Sequence, residues 1–117
     1  MVIRHETFMV ATEDRSQFMD VTKRVRDLLQ RYKIKQELVI NSLHTTTALF
    51  INEWQEALLH DIQFLLDRLI NERDGYRHND PHYSDCDRSN ADAHLRSLLL
   101  GRQLSVPVVD GEMPRHL

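Results

Sequence analysis

Apolar residues recur along this chain with two periods, and the changes from one to the other divide it into elements. Residues 2 to 11 alternate loosely through Ile3, Phe8 and Val10, the pattern of an opening strand. Phe18, Val21, Val25, Leu28, Leu29 and Tyr32 then follow the spacing of an amphipathic helix. Asp20, between Phe18 and Val21, predicts an N-cap, its carboxylate accepting from the free N–H groups of the first turn. The stretch LVINSLHTTTALFINEW, Leu38 to Trp54, sets two apolar runs, Leu38–Ile40 and Ala48–Ile51, around a polar centre from Ser42 to Thr47. Its β-branched and aromatic content predicts two strands meeting near His44.

A second helix is expected from about Trp54 to Arg73, burying Leu58, Ile62, Leu65, Leu66, Leu69 and Ile70 and ended by Asp74-Gly75. A third is expected from Ser89 or Asn90 to Gly101, with Ala91, His94, Leu95, Leu98 and Leu99 facing inward. The polar run YRHNDPHYSDCDRS between these helices reads as a loop. LSVPVV, ending at Val109, reads as a strand that Pro107 confines to an edge or bulge. Asp110-Gly111 predicts a tight hairpin turn, because such turns need positive φ. A hairpin calls for a return strand of about five or six residues. Only EMPRHL follows, with Pro114 in it, so the chain is expected to stop before its sheet is complete.

At 117 residues the chain is expected to form one domain, small enough that a partner subunit matters to its stability. With 41% hydrophobic and 28% charged residues, and only three glycines and three prolines, disorder is not expected. The net charge of −3 argues against a nucleic-acid surface. The basic residues between Lys23 and Lys35 occupy helical positions and read as a solvated face. No apolar run approaches the roughly 20 residues that span a bilayer, and MVIRHETFMV lacks the pattern of a signal peptide. One cysteine, Cys86, rules out an internal disulfide and a thiolate-rich zinc site. A cytoplasmic location is expected.

Candidate chemistry gathers at a few positions. In the central stretch, His44, three threonines and Glu53 either form a site, or the threonines pair across strands and His44 makes a single satisfied hydrogen bond. Asp61 falls at the margin of the second helix's apolar face, within reach of water or of a polar pocket. The long loop holds His78, Asp80, His82, Asp85 and Asp87 without the alternate acids and glycine of a calcium loop. Loops of this length are more often functional than idle, and His78 is a stronger candidate than His82. His94 sits on an apolar face, so it either bonds a backbone carbonyl in the core or points into a site formed with the preceding loop.

HTTTALFINEW at 44–54, Asp61, YRH ending at His78, SNADAHL at 89–95 and LLGRQLSVPVVDG at 99–111 together resemble the YjbQ family, whose members carry the name secondary thiamine-phosphate synthase. The resemblance implies an α+β fold, a mixed or antiparallel sheet flanked by helices, here in the order β-α-β-β-α-α-β. It also implies a ring-shaped homotrimer with a polar pocket between subunits, and His44, Glu53, Asp61, His78 and His94 as the site residues. Members continue past the Asp-Gly turn with a strand, a Gly-Thr-Trp-Gln segment and a further strand, none of which follows Met113.

Three functions suit these residues. In a transferase joining a pyrimidine pyrophosphate to a thiazole phosphate, His44, His78 and His94 would hold a divalent metal, zinc or magnesium. Glu53 or Asp61 would then orient an imidazole, and Arg77 and Arg88 would contact phosphate. No Gly-rich phosphate cradle or paired acidic magnesium motif accompanies them. The same residues suit a metal-dependent hydrolase or lyase acting on a small phosphorylated molecule. The third reading is a non-catalytic trimeric anion-binding protein whose interface histidines make assembly depend on pH.

Overall fold

A polar or charged side chain sets the start of each of the three helices in the computed structural model, which describes residues 3–114. Asp20 Oδ1 accepts from the Thr22 N–H at 3.0 Å, and α1 (Thr22–Tyr32) begins there. α1 closes on Lys33 in the left-handed conformation, with the Lys33 N–H on Leu29 O. β1 (Glu37–Asn41) follows. α2 (Glu56–Leu69) is capped by Gln55, whose side chain accepts from the Leu58 N–H. A 3-10 turn, Arg77–Asn79, leads toward α3 (Ala91–Leu100), and β2 (Gln103–Pro107) comes last.

β1 and β2 pair antiparallel in the register Leu38↔Val106 and Ile40↔Leu104. Because side chains alternate across a strand, Leu38, Ile40, Leu104 and Val106 share one face. That face packs with Val25 and Leu29 of α1, Val108 and Met113 to form the core, and Phe8, Val21 and Ile34 border it. The opposite face is polar at its ends. There Ser105 Oγ donates to Glu37 Oε1, and Gln103 Nε2 donates to Asn41 Oδ1 at 2.8 Å. The Asp110-Gly111 hairpin forms as expected. Both residues have positive φ, 53° and 79°, and Val109 and Glu112 exchange two backbone hydrogen bonds. The stretch expected as a return strand runs partly outside the described residues.

The α+β class and the antiparallel sheet are therefore present, but two expected strands are not. Residues 3–11 find no ladder partner among the described residues and lie along α1 instead. Arg24 Nη1 donates to Met9 O, the Arg24 guanidinium lies 5.1 Å from the Phe8 ring centre, and Tyr32 donates to Glu6 at 3.0 Å. Ala48–Ile51 is not a strand either. It makes one sheet-like bond, Leu49 N–H to Gly101 O at 3.0 Å, and Phe50 meets Phe18 edge to face with ring centres 6.0 Å apart.

α2 also ends before the expected Asp74-Gly75. Asn71 accepts the Arg73 N–H on its side chain, and Arg96 of α3 reaches across to Asp67 and to Ile70 O, both at 2.9 Å. These contacts satisfy the last turn without further helix. At the end of α3, Gly101 adopts φ 90° and ψ 165°, an extended positive-φ conformation rather than the expected left-handed one. That region is also one that glycine alone occupies freely.

The inward faces expected for α2 and α3 are mostly uncovered. Of the α2 stripe only Leu66 is buried, while Leu65 and Leu69 are exposed; on α3, Leu98 is 82% exposed and Leu99 57%. Ala91, Asp92 and Ser97 are the buried residues of α3. A compact monomer of 13.9 kDa would expose about 6,700 Å². This chain exposes 9710 Å². Its radius of gyration, 16.9 Å, likewise exceeds the roughly 13 Å of a compact domain this long. The helical stripes are real, but no described part of the same chain folds over them.

The Thr22 hydroxyl, then its backbone N–H, hold the Asp20 carboxyl below its usual 3.8. The ionised carboxylate therefore stabilises the fold above pH 3.8, and that contribution is lost as pH falls through the depressed folded-state pKa. Asp20→Asn should lower the unfolding free energy by about 0.5 kcal/mol at neutral pH, mostly through lost interaction with the helix start. Urea titrations of both proteins from pH 7 downward should show the gap closing below pH 3.8.

Candidate functional site

The segment between α2 and α3 is held by short polar side chains that bond nearby backbone. Tyr76 donates its hydroxyl to Asn71 O at 2.6 Å, and the 3-10 turn closes through the Asn79 N–H on Tyr76 O and the Asp80 N–H on Arg77 O. Asp80 Oδ1 accepts both the His82 N–H and His82 Nδ1, which leaves that imidazole tied locally and otherwise open to solvent. Ser89, at φ 50°, turns the chain into α3.

α3 does not cap itself. The side chain of Asn90 makes no cap bond; Asn79 Oδ1 instead accepts the Ala91 N–H at 3.0 Å. Arg15 braces the same helix end, donating to Asp92 Oδ1 at 2.9 Å and to Ser89 O at 2.7 Å and pairing with Glu72 at 2.8 Å. Asp92 is buried in the first helical turn, where a negative charge suits the helix dipole.

This arrangement sets His78 beside His94. Their ring centres are 5.0 Å apart and their planes nearly perpendicular, at 82°. His78 Nε2 donates to Asn90 Oδ1 at 3.0 Å, an oxygen that also faces Cys86 Sγ at 3.8 Å. His78 Nδ1 makes no hydrogen bond among the described residues. His94 is half-buried, and its ring makes no hydrogen bond among the described residues, so it is not a core histidine satisfied by a backbone carbonyl. Tyr76, Arg77, His78, Ala91, His94 and Leu95 line an open cleft of about 410 Å³. Desolvation, and then the charges of Asp74 and Asp92, raise the Tyr76 phenol above its usual 10. The Arg77 guanidinium lies 4.7 Å from the Tyr83 ring centre and forms no ion pair among the described residues.

The other expected site residues lie elsewhere. His44 sits in an exposed turn, where its Nδ1 faces the Thr46 N–H at 3.1 Å and the Thr46 hydroxyl at 2.8 Å. Thr47 Oγ1 donates to His44 O, and Ser97 Oγ of α3 donates to Thr47 O at 2.5 Å. Thr46 and Thr47 thus fold a turn and do not pair across strands. Glu53 is exposed, with its N–H on Asn52 Oδ1. The Asp61 side chain is 75% exposed, its nearest partner being His60 at 3.4 Å.

Among the described residues, no three His, Cys, Asp or Glu side chains come together as a metal-holding group. His44, His78 and His94 therefore do not fit a divalent metal as a set within one copy. Sequence reasoning missed Tyr76 as part of the cleft and Asn79 as the cap of α3, and gave Asn90 only as a possible helix start when its side chain also bonds His78. An asparagine on either side of such a loop is the signal that was available.

The family model described as UPF0047 protein YjbQ-like matches residues 6–115. A UPF0047 protein of Methanothermobacter thermautotrophicus is 33% identical over 114 residues, 97% of this chain and 76% of that protein. One from Archaeoglobus fulgidus is 38% identical over 105 residues, 87% of this chain and 75% of that protein. Among solved structures, a hypothetical protein from Aeropyrum pernix K1 superposes with a TM-score of 0.79 at 32% identity, over 89% of this chain and 74% of the other. A YbjQ-like protein of unknown function from Sulfolobus solfataricus P2 gives 0.80 at 27% identity, over 91% and 73%.

Because Asn79 both caps α3 and ends the turn carrying His78, Asn79→Ala should cost about 1 kcal/mol in chemical denaturation. It should also lower hydrogen-exchange protection in the first turn of α3 before that of α1.

Proposed function

The chain belongs to the YjbQ-like UPF0047 family, and on that premise we propose that it acts on a small phosphorylated molecule at the His78–His94 cleft. The observation that supports this reading is the pairing of two imidazoles, one of them unengaged, beside the Arg77 guanidinium in an open cleft. The narrower reaction we propose is thiamine-phosphate synthase chemistry, in which a pyrimidine pyrophosphate is joined to a thiazole phosphate. A C–N bond forms with the thiazole nitrogen's own lone pair, a C–O bond breaks, and that electron pair leaves on pyrophosphate. No base is needed to free the nucleophile. The demand is for positive hydrogen-bond donors where charge develops on the leaving group. Arg77 and the N–H of His94 are suited to that task, with the His78 ring packed at right angles against His94.

Hydrolysis by a metal-bound hydroxide needs three ligands around one open position, so it draws less support from this geometry within one copy. We also propose that the working form is a homo-oligomer, a trimer by the family resemblance. The uncovered Leu65 and Leu69 of α2 and Leu98 and Leu99 of α3 support assembly, since exposed apolar patches of this kind mark interaction surfaces. In that form Glu53 and Asp61, solvated on one copy, would serve the cleft of the next. No described helix is long and apolar enough to cross a membrane; a cytoplasmic place of action is part of the proposal.

One set of samples tests both parts. Purified protein, run by sedimentation velocity, should have a mass about three times the 13.9 kDa of one chain, and it should form thiamine phosphate from the two phosphorylated precursors. His94→Ala should keep that mass and lose about 100-fold in kcat/KM. An unchanged rate in His94→Ala would contradict the placement of the site.

A further inference from the structure

A second polar site lies at the end of the sheet. A backbone N–H can only donate, so the Thr46 N–H at 3.1 Å fixes His44 Nδ1 as an unprotonated acceptor, and the Thr46 hydroxyl donates to the same nitrogen at 2.8 Å. The proton of the neutral ring is thereby placed on Nε2. With one nitrogen engaged and the other carrying hydrogen, His44 has no lone pair left for a cation. It presents an N–H donor to solvent, the opposite of what the expected metal set requires.

The residues just before it line an open cleft of about 590 Å³: Asn41, Ser42 and Leu43 on one side, Arg102 and Gln103 on the other. No acidic side chain lines this cleft, and Arg102 forms no ion pair among the described residues. Gln103 Nε2 donates to Asn41 Oδ1 at 2.8 Å, and the Asn41 N–H₂ group makes no hydrogen bond among the described residues. The Ser42 N–H is used by Arg102 O, and its hydroxyl is paired with that of Thr47.

From this inventory of donors we infer that the 41–44 loop and Arg102 form a binding site for a small oxyanion, phosphate or carboxylate. In it His44 is a hydrogen-bond donor through Nε2 and not a metal ligand, and Thr46 is the positioning residue that holds the tautomer. The chemistry is independent of the His78–His94 cleft, because its donors come from β1, the following turn and the start of β2.

The test is long-range proton–nitrogen NMR of the full-length protein with labelled histidine, which reads the tautomer without a variant. His44 should show a protonated Nε2 and a bare Nδ1. Thr46→Val, which removes the hydroxyl and keeps the backbone N–H, should retain that tautomer and move the His44 Nδ1 resonance as one of its two hydrogen bonds is lost. Inorganic phosphate and acetate, added in separate titrations, should each move the His44 Nε2–H signal saturably, and the ratio of their dissociation constants distinguishes the two anion types. Arg102→Gln should weaken that response about tenfold, the usual scale for losing one charge-assisted contact; His94→Ala should leave it unchanged. A proton on Nδ1 in the unmodified protein, or a His44 signal that stoichiometric zinc shifts and neither anion does, would overturn the inference.

Discussion

The free N–H groups at the start of α3 need acceptors that the helix's own first residues do not supply, and the site depends on how that need is met. Asn79 reaches from the 3-10 turn to accept the Ala91 N–H, while Arg15 ties Asp92 and Ser89 to Glu72. A cap supplied from a distant residue fixes two elements at once. Here it joins the turn carrying His78 to the helix carrying His94, and Asn90, released from capping, orients His78. Arg96 performs a similar service between α3 and the end of α2, through Asp67 and Ile70 O. The half of the chain that holds the cleft is organised mainly by polar side chains meeting helix ends.

The other half is organised by burial. Val25 and Leu29 of α1 press on Leu38, Ile40, Leu104 and Val106 of the two-stranded sheet. This core is small, and a two-stranded sheet is at best marginally stable unless packed on something else. α1 supplies that packing. Meanwhile Leu65, Leu69, Leu98 and Leu99 are exposed and contribute little to the stability of a single copy.

The sequence was most legible where one local cause decides the outcome. The spacing of Val25 and Leu29 marked the buried face of α1, the β-branched run around Val39 marked β1, and Asp110-Gly111 marked a turn with two positive φ values. It was least legible where the outcome depends on partners distant in sequence. Residues 3–11 alternate like a strand but have no strand to pair with. Leu98 and Leu99 lie on an apolar stripe, which shows that a face will seek cover without saying from what. α2 ends early because Arg96, 26 residues later, takes the Ile70 carbonyl. Among the candidate residues, His78 and His94 meet as their placement on the loop and the following helix suggested. His44, Glu53 and Asp61 lie on exposed surfaces away from the cleft.

The central claim is that His78 and His94 act together on a phosphorylated ligand. The most direct measurement is to follow their imidazole NMR signals, and the Arg77 side-chain signals, while inorganic pyrophosphate is added to the protein. Joint, saturable shifts of all three residues with a single dissociation constant are expected. Signals that stay fixed while pyrophosphate binds elsewhere on the protein would contradict the claim.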